Sequence, residues 1–165
     1  MERVTEKYAF FWGSEFSNWY YCPITYKGIE FFNTEQIFMW EKAMFFNDTE
    51  IADKIIKSDG NPSVAKKLGR QVKNFDSNKW LEEGYKVMVK ANLAKYQQNP
   101  ILRNILLGSG DRIIVEASPH DIIWGVGIHW IDDNILDEKN WRGQNLLGKA
   151  LMEVRENIKS ELGMN

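Results

Sequence analysis

Helix starts recur along the middle of this chain, and they limit what it can fold into more than any other feature. Asn33-Thr34-Glu35-Gln36 offers an N-cap at Asn33 and, three residues on, a Gln36 amide able to reach back as in a capping box. Asp48 or Thr49 marks a second start ahead of Ile51, Ile55 and Ile56. Asn61-Pro62 marks a third, with proline at the first helical position and Gly69 near the end, and Pro100 opens a short helix through Leu106 and Leu107. Two longer segments are set by periodicity. Residues 79–97 place Trp80, Gly84, Val87, Ala91 and Ala94 on one stripe, flanked by Leu81 and Met88. Residues 144–162 place Leu147, Leu151, Val154, Ile158 and Leu162 on another.

Strands are few. Residues 8–32 are dense in aromatics, and Pro23 and Lys27-Gly28 punctuate them, which reads as short strands with a hairpin at Lys27-Gly28. Residues 112–117 have β-branched character and form one more strand. The expectation is a mostly α, α-rich α+β chain, a single compact helical domain over residues 1–165 with a few short strands. No alternating βαβ series, dinucleotide-binding glycine fingerprint or phosphate-binding P-loop is present.

Composition narrows the partners. A net charge of −2, with no run of Lys or Arg, argues against affinity drawn from a broad phosphate-binding surface. It leaves room for one nucleotide or one modified base in a cleft. Aromatic residues make up 13% of the chain and include seven tryptophans, enough to fill a core or to line a pocket for flat rings. Cys22 is the one cysteine, so neither an intrachain disulfide nor a cysteine metal cluster is expected. His120 and His129 lack ligand spacing with carboxylates, so no metal and no cofactor is expected. No apolar run approaches the ~18 residues of a bilayer span and the N-terminus lacks a signal-peptide pattern, so a cytoplasmic protein without a membrane partner is expected.

Three elements can carry chemistry. Ser118–Gly127 puts Asp121 and Trp124 three residues apart in a loop that opens at Pro119 and closes with Gly125 and Gly127. The glycines leave backbone uncovered for close approach, while a charge and a flat apolar face share one mouth. As a structural element, the same loop is a turn plugged by Trp124. In the helix from Thr34, Glu35, Phe38, Met39 and Lys42 fall at i, i+3, i+4 and i+7, so two charges bracket two large apolar residues on one stripe. Glu35 and Lys42 lie ~10 Å apart along the axis. If the stripe faces inward each needs another partner; if it lies at an edge, both heads snorkel to water. Third, Gln144 and Asn145 sit at a helix start, where amide N–H groups favour anions such as phosphate.

These elements in this order, after an aromatic N-terminus, resemble the NADAR or YbiA-like family over nearly the whole chain. The matching segments are Phe16-Ser17-Asn18-Trp19, Thr34-Glu35-Gln36-Ile37-Phe38 followed by Glu41-Lys42-Ala43, and Ala65-Lys66-Lys67-Leu68-Gly69-Arg70. Trp80, Met88, Lys95-Tyr96, Leu106-Leu107, residues 118–127 and residues 145–155 follow. The resemblance implies an N-glycosidase that hydrolyses an N-ribosyl bond. The substrates it implies are ADP-ribosylated guanine, as nucleoside or in nucleic acid, and phosphoribosylamino-pyrimidine intermediates of riboflavin synthesis. By carry-over Glu35, Lys42 and Asp121 are catalytic, and Asn18, Trp80, Trp124, Gly125 and Asn145 bind substrate. The implied chemistry includes ring opening at the anomeric carbon and a lysine Schiff base. The chain departs from the family pattern at Gln36, where many relatives have His, and at Val126, where some riboflavin-pathway members have Asp.

The alternative is a non-catalytic module that holds ADP-ribose or a related nucleotide without cleaving it; it predicts binding, no product and tolerance of Lys42→Ala. A structural protein with an aromatic core predicts no ligand at all.

Overall fold

A computed structural model describes residues 1–164. The elements run β1 (Arg3–Val4), β2 (Tyr8–Phe11), β3 (Ile24–Tyr26), β4 (Ile29–Phe31), α1 (Thr34–Phe45), α2 (Thr49–Ile56), α3 (Pro62–Gly69), α4 (Ser77–Gln98), α5 (Pro100–Gly108), β5 (Ile113–Glu116) and α6 (Leu146–Glu161). Two short 3-10 helices, Asp133–Leu136 and Glu138–Asn140, fill the polar stretch before α6. The α-rich reading holds. The packing divides the chain into two units, residues 18–99 and residues 1–17 with 100–164.

The first unit is built around α1, which packs on α2, α3 and α4. Its start follows the sequence signals with one shift. Asn33 Oδ1 accepts from the Gln36 N–H at 2.8 Å, as a cap should. The Gln36 side chain reaches back one residue further than a capping box, taking the Phe32 N–H at 3.0 Å. The remaining ends of both amides tie α1 to its neighbours: Asn33 Nδ2 donates to Gly60 O at 2.7 Å, and Gln36 Nε2 to Ile55 O at 3.0 Å. Asp48, Asn61 and Asp76 cap α2, α3 and α4 in turn. In the β3–β4 hairpin Ile24 pairs with Phe31, and Lys27 and Gly28 turn with φ of 51° and 77°, the geometry of a two-residue type I′ loop. The open edge of β3 is closed by the Gln98 amide, which accepts from Thr25 N–H and donates to Thr25 O, both at 2.8 Å.

Helix α4 starts two residues earlier than expected, and the expected stripe is buried at Trp80, Gly84, Val87 and Ala91, with Ala94 half-buried. Its buried face is Trp80, Gly84, Val87, Met88, Ala91, Asn92, Lys95 and Tyr96, with Val89 beside it, whereas Leu81 is 52% exposed. The polar Asn92 and Lys95 belong to the inward face, which an apolar count does not see.

In the second unit β2 is central. It pairs antiparallel with β1 and parallel with β5, Tyr8 opposite Ile113 through Phe11 opposite Glu116. Its core joins Tyr8, Phe10, Val115, Ala117, Val126, Ile128 and Ile135. Helix α6 covers β5 with Leu147, Leu151, Val154 and Ile158, each buried at 1% exposure or less. Each such side chain contributes about 1.5–3 kcal/mol relative to exposure. The stripe ends one turn early, since Leu162 is an exposed C-cap. Among the described residues no helix is long and apolar enough to cross a membrane.

Candidate active site

Within residues 18–99 the face of α1 that carries charge is turned inward. Glu35 is 6% exposed and lies in the first turn, where the aligned peptide dipoles favour a carboxylate. Its backbone N–H donates to Asn18 O at 3.0 Å, and Thr34 Oγ1 donates to Asn18 Oδ1 at 2.9 Å. Asn18 Nδ2 reaches Met88 Sδ at 3.2 Å, and Asn92 Nδ2 reaches Asn18 Oδ1 at 3.4 Å, so Asn18 joins the start of α1 to α4. Asn18 is thus placed beside Glu35 as a holder of backbone.

Lys42, two turns along, is half-buried. Its Nζ sits 4.0 Å from the centre of the Phe75 ring. Burial pushes the Lys42 amine below the usual lysine range, repulsion from the Arg70 guanidinium adds to this, and the Glu35 carboxylate pulls the other way. An amine held down in this way is neutral for more of its time and can act as a nucleophile. Trp80 is buried in a cluster of rings, with Phe38 at 5.3 Å, Phe45 at 5.7 Å and Phe46 at 6.3 Å between centroids. Gly84, one turn further along α4, leaves room for that indole: a Cβ there would meet it at 3.2 Å. Glu35, Lys42, Trp80 and Asn18 therefore fall in one unit, which brings a carboxylate, a depressed amine and a cluster of aromatic rings into it.

Asp121, Trp124, Gly125 and Asn145 lie in the other unit. Asp121 Oδ1 accepts from Ile123 N–H at 2.9 Å and from Trp124 N–H at 2.8 Å, which makes the carboxylate the organiser of its own turn. Trp124 is half-buried. The close approach at Gly125 is made by the chain's own backbone: a Cβ would meet Asp121 O and Glu116 O at 3.0 Å each. The carbonyls of this loop also take amides at the start of α6, with Leu146 N–H on Ile123 O, Leu147 N–H on Trp124 O and Asn145 N–H on Gly125 O. An anion expected at those amides meets carbonyls instead. Asn145 is buried in the left-handed region at φ 54°, and its amide bonds β5 at both ends, accepting from Glu116 N–H at 3.0 Å and donating to Ile114 O at 2.9 Å.

The two histidines share a different environment, their rings 6.1 and 5.2 Å from the Trp12 indole. No group of three or more His, Cys, Asp or Glu side chains among the described residues is arranged to hold a metal ion. Residue-by-residue reading missed Arg70 and Phe75. The available signal was the segment between Asp59 and Asp76, which holds Lys66, Lys67, Arg70 and Lys73 and no acid.

Comparison with known proteins agrees with this architecture. The NADAR domain matches residues 10–159. An N-glycosidase of Acanthamoeba polyphaga mimivirus is 36% identical over 92% of this chain and 96% of its own length. The N-glycosidase YbiA of Escherichia coli is 31% identical over 89% of this chain and 82% of its own. Its solution structure superimposes with a TM-score of 0.79, covering 99% of this chain and 91% of that one at 27% identity. A riboflavin biosynthesis protein of Vibrio vulnificus is 28% identical over 90% of this chain, which spans 36% of that protein. A domain match over most of the chain, full-length relatives above 30% identity and a shared fold lead to one conclusion: this chain belongs to the NADAR domain family.

Proposed function

We propose that this protein is an N-glycosidase that hydrolyses an N-ribosyl bond. It is a glycosidase-type hydrolase acting on N-glycosyl compounds. The observation that carries the reading is the inward stripe of α1, with a buried Glu35 carboxylate and a Lys42 amine held below its ordinary range. Breaking a C1′–N bond builds positive charge on the sugar and leaves an electron pair on the departing nitrogen. Glu35 stabilises the sugar cation, or holds the proton that the leaving nitrogen takes. The neutral Lys42 amine adds to C1′ as the C1′–O4′ bond breaks, O4′ takes one of the amine's protons, the C1′–N bond then breaks with the base taking the other, and a Schiff base joins Lys42 to the sugar. Water then adds to the imine carbon, the Lys42 amine leaves to give the open-chain aldehyde, and O4′ recloses on C1′, so the ribosyl product carries a C1′ hydroxyl. Trp80 lines the site for the base. Asp121, Trp124, Gly125 and Asn145 are carried into this proposal by the family resemblance.

The substrate is an N-ribosyl compound, either ADP-ribosylated guanine, as nucleoside or in nucleic acid, or a phosphoribosylamino-pyrimidine. The Vibrio relative's name supports the second class. The reaction is placed in the cytoplasm. The test is mass spectrometry of turnover on both substrate classes, with borohydride present to trap an imine. Base release that is lost in Glu35→Gln and Lys42→Ala, with the sugar trapped on Lys42, supports the mechanism. Bound but unchanged substrate with every class moves the protein to a nucleotide-binding module.

A further inference from the structure

Four cations spaced through residues 60–75 form no run along the sequence, but two of them converge on the α1 stripe. Lys66, Gly69 and Arg70 fall at i, i+3 and i+4 on the chain of α3 and its C-cap, hence on one face. That face packs on α1 at Met39, between Glu35 and Lys42: a Cβ on Gly69 would lie 2.1 Å from Met39 Sδ. Arg70, the next residue, is exposed and close enough to Lys42 to repel its charge. Lys66 lies one turn away toward the other end of the stripe. Its Nζ is 5.9 Å from the ring of Trp19, which is 45% exposed and directly follows the Asn18 that accepts the Glu35 N–H.

Among the described residues, the salt bridges engage Lys73 with Glu50 but neither Lys66 nor Arg70 with any carboxylate. Like charges at i and i+4 on one helix face repel, and Arg70 also repels the Lys42 amine. A dianion between them relieves that repulsion. A ribosyl substrate brings its negative charge as phosphate at its 5′ end, and a planar guanidinium matches phosphate oxygens two at a time.

Resting on the glycosidase reading above, we propose that Arg70 and Lys66 form the phosphate-binding wall of the site, gripping the 5′ phosphate of the substrate ribose while C1′ lies at Lys42. Trp19 borders the wall as an apolar shelf. The wall serves a phosphomonoester and a diphosphate alike.

The test is calorimetric titration of the full chain with ribose, ribose 5-phosphate, ADP-ribose and an unmodified thymidine oligonucleotide. The proteins are wild type, Lys66→Gln, Arg70→Gln and Arg70→Lys, each checked for a native circular dichroism spectrum. Wild type is expected to bind ribose 5-phosphate or ADP-ribose at least ten-fold more tightly than ribose. Arg70→Gln and Lys66→Gln should each remove about ten- to hundred-fold of that preference, the equivalent of one charge-assisted hydrogen bond, and Arg70→Lys should restore part of it. The stronger of the two phosphorylated ligands identifies which ester the wall is shaped for. Equal binding of ribose and both phosphorylated ligands by wild type overturns the proposal, as does a preference that neither Gln variant moves. An oligonucleotide that competes equally, with the same dependence on Lys66 and Arg70, also overturns it by reassigning the wall to strand phosphates. Binding is read without turnover, so the phosphate preference can stand where no N-glycoside is cleaved, and can fail where one is.

Discussion

Asn145→Ala should be among the most damaging single changes in the protein, although residue 145 looks like a ligand contact in the sequence. The asparagine has two structural functions. Its side chain closes two hydrogen bonds to the backbone of β5, at 3.0 and 2.9 Å, and its backbone takes the left-handed conformation that turns the chain into α6. Alanine makes neither bond and leaves the Glu116 N–H and the Ile114 carbonyl without that partner. Each such group costs about 1–3 kcal/mol, so the pair costs about 2–6 kcal/mol. Holding alanine at φ 54° adds about 1–2 kcal/mol. The sum, about 3–8 kcal/mol, is a large share of the roughly 5–15 kcal/mol that holds a typical domain folded. Asn145→Gly removes the backbone strain but not the lost bonds, and should recover about 1 kcal/mol relative to alanine. Asn145→Asp keeps the acceptor for Glu116 but turns an oxygen toward the Ile114 carbonyl, so it should resemble alanine. Equilibrium urea unfolding followed by tryptophan fluorescence, compared at constant m-value, gives these differences directly. An Asn145→Ala protein destabilised by less than about 1 kcal/mol would refute the reasoning, and full stability with lost turnover would return Asn145 to the ligand.

Lys42 sits below its ordinary pKa, so the limb of kcat/KM that tracks its loss of a proton should lie below the lysine range of about 10.4. Arg70→Gln takes away a repelling cation and should move that limb to higher pH; a pH–rate series on both proteins measures the displacement. The same depression means that the unfolded chain holds the Lys42 proton to higher pH than the folded one. Stability should therefore rise with pH through that window, and Lys42→Met should flatten the rise in a Tm-against-pH series. Asp121→Asn keeps the Oδ1 that receives the Ile123 and Trp124 amides, whereas Asp121→Ala does not. If the charge acts in catalysis, both lose turnover while only alanine lowers Tm; equal turnover in Asn and wild type confines Asp121 to the turn. Gly60→Ala places a Cβ 2.6 Å from the Cβ of Phe32 at φ +72°, and should lower Tm by several degrees or more in a thermal melt.

Helix starts were legible because a cap is local chemistry: Asn33, Asp48 and Asn61 cap where their side chains predict, and Lys27-Gly28 makes the expected turn. Faces were less legible. Leu162 was placed on a buried stripe and Leu81 beside one, and both are exposed, whereas Asn92 and Lys95 were not placed on the buried face of α4 and lie within it. Tertiary contacts decide such placements, and a polar residue with a partner can be buried as readily as an apolar one. The pair β1–β2 rests on two residues per strand, Arg3 opposite Phe10 and Val4 opposite Ala9, too short to carry a period. At the site, the spacing of Glu35 and Lys42 was readable, but not whether their stripe faced inward; that depends on α1 being enclosed by three other helices. Arg70 stayed hidden because its effect depends on how α3 lies on Met39, a contact made by the absence of a side chain at Gly69.

The double anchoring of Asn33 and Gln36 has a consequence for how this site responds to substitution. Glu35 stands between two residues that clamp the start of α1 to Phe32, Gly60 and Ile55. The frame that aims its carboxylate is thus assembled from its neighbours in sequence. A substitution at position 35 changes the chemical group presented there while the bracket around it stays intact, so reactivity and mounting can be altered separately. A substitution at Asn33 loosens the mounting itself, and one at Gln36 keeps it only where the new side chain still reaches the Phe32 N–H.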